Sequence, residues 1–139
     1  MPIFQTQTTS FKQELPQAVH NLLVDTIKIA LYTSNASLDA DTTVYSVTNE
    51  VSGTGYVAGG KVMTGVTIAN SNDVVYINFN NVVWNPASFT AAGALIYNAS
   101  KSNKSIAVLS FGADKTATNT FTIEMPTNTY NSALLRLSQ

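Results

Sequence analysis

The sequence predicts an all-β fold: an antiparallel β-sandwich of about eight strands with jelly-roll order and one short N-terminal helix. Three observations predict this class. Seven stretches of strand length alternate apolar and polar residues or are continuously apolar. The segments between them are short and polar, which favours antiparallel neighbours. Only one segment has helical spacing. The 139 residues fit a single domain, 1–139, that is long enough to bury a core.

Residues 1–8 are expected to form a flexible arm, and residues 9–23 a short kinked helix. Ser10 is the predicted N-cap, with Gln13 completing a capping box. A rough apolar stripe runs from Phe11 to Leu23. Pro16 lies within this stripe and excludes an uninterrupted helix, because proline lacks the backbone N–H that a helix interior requires.

Four of the predicted strands show strict alternation, which predicts one buried face for each. Their expected inward residues are Ile27, Ile29 and Leu31; Val62, Thr64, Val66 and Ile68; Val75, Ile77 and Phe79; and Phe121, Ile123 and Met125.

Residues 93–98 and 132–139 supply two further strands, and 42–48 a weaker one. Residues 105–112 are apolar on both faces, as expected of a central strand. Turns are predicted at 69–73, 85–88, 98–105, 112–119 and 126–131, where Asn, Ser, Asp, Gly and Pro cluster.

Composition argues against several classes of function. Only 11% of residues are charged, against about 25% in an ordinary domain, and the net charge is −1. Nucleic-acid binding through phosphate contacts is therefore not expected. The chain has no cysteine, which excludes disulfides and thiolate metal sites. No apolar run approaches the length of a membrane span, and the N-terminus lacks a signal-peptide pattern, so no membrane association is expected.

Neutral polar residues replace the missing charges. Thr, Ser and Asn together make up 45 of the 139 residues. Such a surface suits a protein within a dense assembly, and it equally suits an ordinary β-rich domain with a Thr-rich exterior.

The stretch 49–60, NEVSGTGYVAGG, contains four of the seven glycines. The spacing does not match the dinucleotide fingerprint, and Gly60-Lys61 is followed by Val62 rather than by Ser or Thr. An alternating strand follows, not a helix. We therefore expect backbone turns with positive φ, and a largely buried Tyr56 between them.

Candidate catalytic and metal-binding residues are few. His20 is the only histidine, and Asp25 lies five residues further on. We expect His20 to be a polar residue at a helix end rather than a catalytic base. Asp39, Asp41 and Thr43 alternate in a way that can bind Ca²⁺, but the remaining EF-hand ligands are missing, and aspartates are common in turns.

Glu50 and Glu124 are the one weak candidate pair for glycoside cleavage, because both are flanked by strand-like segments. Several aromatic residues can stack on sugar rings or, alternatively, lie half-buried in the sheet: Trp84, Tyr45, Tyr56, Tyr76 and Tyr97. No catalytic residue, cofactor site or metal site is predicted.

A combination of short motifs resembles a family of small virion structural proteins of tailed bacteriophages. The resemblance extends over residues 9–137. Pro16 departs from the pattern, which leaves the local helix geometry open. The motifs are Phe11-Lys12 with Glu14, Lys28-Ile29-Ala30-Leu31-Tyr32-Thr33, Thr48-Asn49-Glu50-Val51, Gly55-Tyr56, Gly59-Gly60 and Ala94-Leu95-Ile96-Tyr97-Asn98.

The resemblance implies a β-sandwich component of a virus particle and leaves head or tail location open. The small, neutral, β-rich chain favours a non-enzymatic head decoration, or cement, protein. Such a protein binds the major capsid protein at the capsid surface, stabilises the lattice and self-associates as a dimer or trimer. The alternative is a tail-associated or receptor-binding component that recognises a host surface glycan.

Overall fold

The computed structural model describes residues 3–137 and confirms an all-β fold with one short helix. All pairings between its strands are antiparallel. The elements are β1 Thr6–Gln7, α1 Thr9–Glu14 with a 3₁₀ turn at Leu15–Gln17, β2 Ile27–Tyr32, β3 Lys61–Val62, β4 Thr67–Ser71, β5 Val74–Asn78, β6 Val82–Trp84, β7 Phe89–Asn98, β8 Lys104–Ala117, β9 Phe121–Ile123 and β10 Leu135–Leu137.

The strands form three sheets within the described residues. A five-stranded sheet has the order β1-β8-β7-β2-β3, a three-stranded sheet the order β10-β5-β4, and β6 pairs with β9. The predicted jelly-roll order is not confirmed by this arrangement.

The five-stranded sheet is buried on both faces. One face packs into the main core, and the irregular segment between β2 and β3 covers the other. This arrangement explains the apolar run in β8, because a strand with two buried faces needs apolar residues on both. The main core includes Ile29, Leu31, Ile96, Trp84 and Leu135, and the second core includes Tyr32, Leu38, Leu95, Tyr97 and Val108.

The N-terminal segment differs from the expected flexible arm. Met1 and Pro2 lie outside the described residues. Ile3 forms a bridge with Leu38, and β1 pairs with β8 at the sheet edge. Within residues 3–8, therefore, the backbone is part of the sheet system.

The helix begins at Thr9, the first residue of the predicted helical segment, but its capping residue differs from the prediction. The N-cap is Thr8 rather than Ser10, and the Thr8 hydroxyl accepts a hydrogen bond from the Phe11 N–H at 3.4 Å. After the 3₁₀ turn that contains Pro16, the chain leaves the helical region at Ala18, where φ is 59°. The predicted helix over 9–23 is thus wrong beyond residue 17, because proline ends the ladder of backbone hydrogen bonds.

The predicted single strand over residues 61–68 is also wrong. Gly65, with φ of 67°, separates β3 from β4 and resets the alternation. Met63 is buried in the main core, whereas Val62 and Ile68 are exposed. Of the other two expected inward residues, Thr64 is exposed and Val66 is partly buried.

The alternation in β5 and β9 holds only where the core extends. Ile77, Phe79, Phe121 and Ile123 are buried and Met125 is partly buried, as predicted, but Val75 is exposed. The β4–β5 hairpin extends beyond the core at that point. Asn78, expected to point outward, is buried and donates to the Pro126 carbonyl at 2.7 Å.

Two further local predictions are wrong. In one, a predicted strand lacks a pairing partner; in the other, a predicted turn is paired as a strand. Residues 42–48 form no strand among the described residues, only a bridge from Val44 to Lys104. The turn expected at 112–119 is instead largely part of β8, which continues to Ala117 and pairs there with Phe89. The turn predicted at 69–73 is confirmed only at Asn72 and Asp73, which have positive φ, because Ala69, Asn70 and Ser71 belong to β4 and pair with β5.

Candidate interaction site

Residues 21–25 form a tight turn between the helical segment and β2. The Asn21 carbonyl accepts hydrogen bonds from the N–H groups of Val24 at 3.1 Å and Asp25 at 2.8 Å. The Asn21 side chain accepts from the Leu23 N–H at 3.2 Å, and the Asn21 N–H donates to Asp25 Oδ2 at 2.9 Å. The turn is therefore closed by four hydrogen bonds over five residues.

Asp25 fixes this turn to the β7–β8 hairpin. Its carboxylate, only 7% exposed, accepts from Asn98 Nδ2 at 2.8 Å and pairs with the Lys101 ammonium at 2.9 and 3.0 Å. Burial acts to raise the pKa of Asp25, but the hydrogen bonds from Asn98, the Asn21 N–H and Lys101 outweigh it. The pKa of Asp25 is lowered from its ordinary value of 3.8 to about 2. The carboxylate is charged at neutral pH and holds the turn in place.

His20 lies directly behind the same turn. Its Nδ1 atom is 3.0 Å from Asn98 Nδ2, and its Nε2 atom is 2.9 Å from Glu14 Oε1. Because an amide nitrogen only donates, Nδ1 accepts, and the proton resides on Nε2, which donates to Glu14. The imidazole is 0% exposed, so it cannot reach a substrate, and it joins the helical segment to β7.

This network supports an exposed apolar pair. Leu22 is buried beneath the turn, while Leu23 and Val24 are 67% and 77% exposed. Full burial of a Val or Leu side chain contributes about 1.5–3 kcal/mol. The structure thus holds two adjacent aliphatic side chains in water on a backbone that is already ordered. We call Leu23 and Val24 the apolar turn pair.

Only part of this site was predictable. The sequence drew attention to His20 and Asp25, and the structure brings them together through Asn98. His20 lies three residues beyond the 3₁₀ turn that ends at Gln17, and its non-catalytic role stays a prediction. Asn98, Lys101 and the apolar turn pair were missed. The one available signal was the adjacent Leu23-Val24, of which Leu23 was assigned to the stripe of the predicted helix.

The other acidic candidates lie elsewhere. Asp39 and Asp41 belong to a turn in which the Asp39 carboxylate accepts from the Asp41 N–H at 2.9 Å, and Thr43 is exposed. Glu124 is exposed at the end of β9, whereas the Glu50 carboxylate is engaged by Tyr45, Tyr56 and the Gly59 N–H. Glu124 lines a groove between β8, β9 and β10 whose lining does not include Glu50.

The predicted aromatic candidates are largely internal. Trp84 and Tyr97 are buried, so neither can stack on an external sugar ring. Tyr45, Tyr56 and Tyr76 are partly buried. Tyr45 stacks on Tyr97 with ring centroids 4.7 Å apart.

The glycine-rich stretch forms turns, as predicted. Three of its glycines, Gly55, Gly59 and Gly60, have positive φ. Tyr56 is partly buried rather than largely buried, and its ring packs at 6.3 Å from Trp84 and 5.8 Å from Phe89.

A groove of about 640 Å³ lies between β8, β9 and β10. It combines aromatic and aliphatic side chains with hydroxyl groups and with charges of both signs. Its lining includes Phe111, Phe121, Thr116, Thr122, Lys115, Glu124 and Arg136.

Within residues 3–137, no three His, Asp or Glu side chains are grouped so as to hold a metal ion. In the same range, no helix is long and apolar enough to cross a membrane.

No protein-family model matches the chain, and no significant match to it was found among curated proteins or among solved structures.

Proposed function

We propose that the protein is a non-enzymatic structural component of a bacteriophage virion, a head decoration protein that binds the major capsid protein and stabilises the capsid lattice. The observation that carries its docking role is the apolar turn pair, Leu23 and Val24, on a turn that is locked by Asp25. The assignment to a bacteriophage virion is supported by the resemblance of the sequence motifs.

The turn of residues 21–25 suits docking because its conformation is already fixed in the free protein. A flexible loop loses conformational entropy when it binds, at about 0.5–1.5 kcal/mol for each immobilised side chain. The turn of residues 21–25 is ordered before any partner arrives, by four internal hydrogen bonds and by the contacts of Asp25 with Asn98 and Lys101. More of the gain from burying the two aliphatic side chains is therefore retained as affinity.

The free energy available from burying the apolar turn pair suits a partner that offers many identical binding sites. Burial of both side chains contributes about 3–6 kcal/mol before the costs of association. One such contact is weak, but many copies on one lattice act together, particularly if the copies are linked to each other. The low charge of the chain, 15 charged residues in 139, adds little electrostatic repulsion between neighbouring copies.

The location is tested by gold-labelled antibody on purified virions, observed by electron microscopy. Label distributed over the head supports the proposal. Label confined to the tail, or no label on the particle, contradicts it.

The docking role is tested with shells that lack the protein, to which purified variants are added. We expect Leu23→Ser/Val24→Ser to keep the wild-type free energy of unfolding within about 0.5 kcal/mol and to lose shell binding. The matched control is Val44→Ser/Val47→Ser, which changes two other exposed valines and should leave binding intact. Equal binding by both double variants would contradict the role of the turn pair.

The second candidate is a tail-associated component that recognises a host surface glycan, and the groove between β8, β9 and β10 favours it. Hydroxyl, aromatic and charged groups are the types that bind sugars. Phe121 lines this groove and lies 6.0 Å from Trp84, so Trp84 fluorescence can report on occupancy. A saturable fluorescence change on titration with host polysaccharide, reduced in Phe111→Ala, would favour this candidate over the first.

A further inference from the structure

Strand β4 leaves one edge of the three-stranded sheet open. In the order β10-β5-β4, all five residues Thr67–Ser71 pair with β5 on one side. On the other side, no hydrogen bond from the described part of the chain reaches their backbone groups. Unpaired N–H and C=O groups in a row form a template for another strand.

This edge has none of the features that usually prevent strands from pairing. The segment TIANS contains no charge and no proline, and Asp73 is the only charged residue between Lys61 and Lys101. Natural sheets commonly protect their edges with lysine, proline or bulges. An edge without them is suited to a partner of equally neutral character.

Exposed apolar side chains of β4 and β5 lie next to the open edge. Ile68 lies opposite Ile77, and Val75 is two residues before Ile77, so the three share one face of the sheet. Ile77 is buried in the core, but Ile68 and Val75 are 45% and 38% exposed. The apolar face shared by Ile68, Val75 and Ile77 therefore extends beyond the buried core and is exposed next to the unpaired edge.

We propose that two copies of this chain associate by antiparallel pairing of their β4 strands about a two-fold axis at Ala69. The result is a continuous six-stranded sheet. The pairing places Thr67 opposite Ser71 of the second copy and Ile68 opposite Asn70 of the second copy. The two Ile68 side chains then lie diagonally across the junction, within reach of each other, and cover their exposed surfaces.

The charge distribution favours a second copy as the occupant. A two-fold axis brings identical surfaces together, so any charge near the axis would face its own copy. In this pairing Asp73 lies opposite Gly65 of the second copy, and no like charges meet. The small Ala69 side chain at the axis lets the strands approach without a clash between the two copies of itself.

This inference does not depend on the proposed virion role. It uses a surface that shares no residue with the apolar turn pair. If both hold, each dimer presents two turn pairs, which raises the avidity for a lattice.

The test is a charge swap at the axis. Molar mass is measured by light scattering over a range of concentrations, for the wild type, Ala69→Lys, Ala69→Glu and an equimolar mixture of the two variants. We expect the molar mass of the wild type to approach twice 14.9 kDa. Each single variant should dimerise at least about tenfold more weakly, because like charges face each other at the axis, and the mixture should recover dimers through the opposite charges.

A matched control places a lysine at Thr122, an exposed position on β9, and should dimerise as the wild type does. Circular dichroism checks that all variants fold. A wild type that stays monomeric at all concentrations would overturn the proposal, as would single variants that dimerise like the wild type. A monomer whose β4 amides become protected only on capsid shells would assign the edge to the capsid protein and overturn self-pairing.

Discussion

The Tyr56 hydroxyl donates a hydrogen bond to the carboxylate of Glu50, six residues away along the chain. The same phenol oxygen accepts from the Leu31 N–H at 2.9 Å. Glu50 also accepts from the Tyr45 hydroxyl at 2.6 Å and from the Gly59 N–H at 2.9 Å. The glycine-rich stretch is therefore a loop that closes around one carboxylate and attaches to β2.

Removal of the Tyr56 hydroxyl tests this attachment. We expect Tyr56→Phe to lower the free energy of unfolding by about 1–3 kcal/mol, because it leaves the Leu31 N–H without an acceptor and removes one of the three donors to the Glu50 carboxylate. Tyr56→Ala should cost about 3 kcal/mol or more, since it also removes the ring that packs against Trp84 and Phe89. Urea denaturation measures both. Tyr130→Phe, at an exposed tyrosine, is the control and should have little effect; equal losses for both Phe variants would contradict the prediction.

Close approach of the backbone distinguishes two glycines with nearly equal φ. Gly60 has φ of 79°, and a Cβ added there would lie 1.8 Å from the Ile29 carbonyl oxygen. Gly112 has φ of 80°, with nothing within 4 Å of an added Cβ. Gly112→Ala should lower the free energy of unfolding by about 1 kcal/mol, which is the conformational strain alone. Gly60→Ala should lower it by several kcal/mol more, because β2 must move to make room for the Cβ atom. Thermal unfolding measures the loss of stability in both variants. Similar losses would contradict the prediction, because they would show that the clash at Gly60 is relieved.

The contacts of Asp25 predict an acid-dependent loss of stability. The pKa of Asp25 is about 2 in the folded protein, below its ordinary value of 3.8. A lowered pKa stabilises the fold above pH 4, and this contribution is lost as the pH falls from about 4 to about 2.

Comparison with Asp25→Asn isolates this contribution from the other acids. We expect the wild type to be more stable than the variant by about 1–2 kcal/mol at pH 7, and the difference to shrink at pH 2. Denaturant unfolding at both pH values measures it. A difference that does not change with pH would show that the charge of Asp25 does not hold the turn.

The tyrosines around Glu50 predict resistance to alkaline ionisation. Burial, followed by the charge of Glu50, raises the pKa of Tyr97 from its ordinary value of 10.0 to about 12. Burial together with Glu50 also raises the pKa values of Tyr45 and Tyr56. A raised pKa contributes stability that is complete below pH 10 and is lost as the pH rises towards 12 and above.

Absorbance at about 295 nm reports phenolate formation, and circular dichroism reports unfolding in the same titration. We expect the tyrosines of this cluster to ionise late and together with the loss of structure. Glu50→Gln removes the charge and should shift their ionisation to lower pH for as long as the variant stays folded. Early phenolate formation in the folded wild type would contradict the assignment.

Local residue patterns account for most of the elements that were predicted correctly. Alternation identified β5 and β9, because a strand with one buried face needs an apolar residue at every second position. It also located β2, although that strand is buried on both faces rather than on the one face predicted. The glycines of residues 49–60 predicted turns, because glycine adopts positive φ at little cost. The turn at Asn72 and Asp73 was predicted from its polar residues, since Asn and Asp tolerate the left-handed region better than most side chains.

Where those patterns failed, a distant partner determined the outcome. Residues 42–48 have the Thr, Val and Tyr content of a strand, but they find only a single bridge, from Val44 to Lys104 of β8. Residues 112–117 have the composition of a turn but belong to β8, because β7 lies alongside and pairs with them. Tertiary context overrides local preference when a neighbouring strand supplies the hydrogen bonds.

The sequence by itself determined the all-β class, the low charge and the glycine turns of residues 49–60, because these depend on side-chain type and on neighbours in the chain. Only the tertiary structure decided which faces are buried and that Asp25 meets Asn98, 73 residues further on. It also decided that Leu23 and Val24 remain exposed and that β4 is an open edge. Burial and hydrogen bonding between distant segments depend on how the sheets pack, which no local pattern contains.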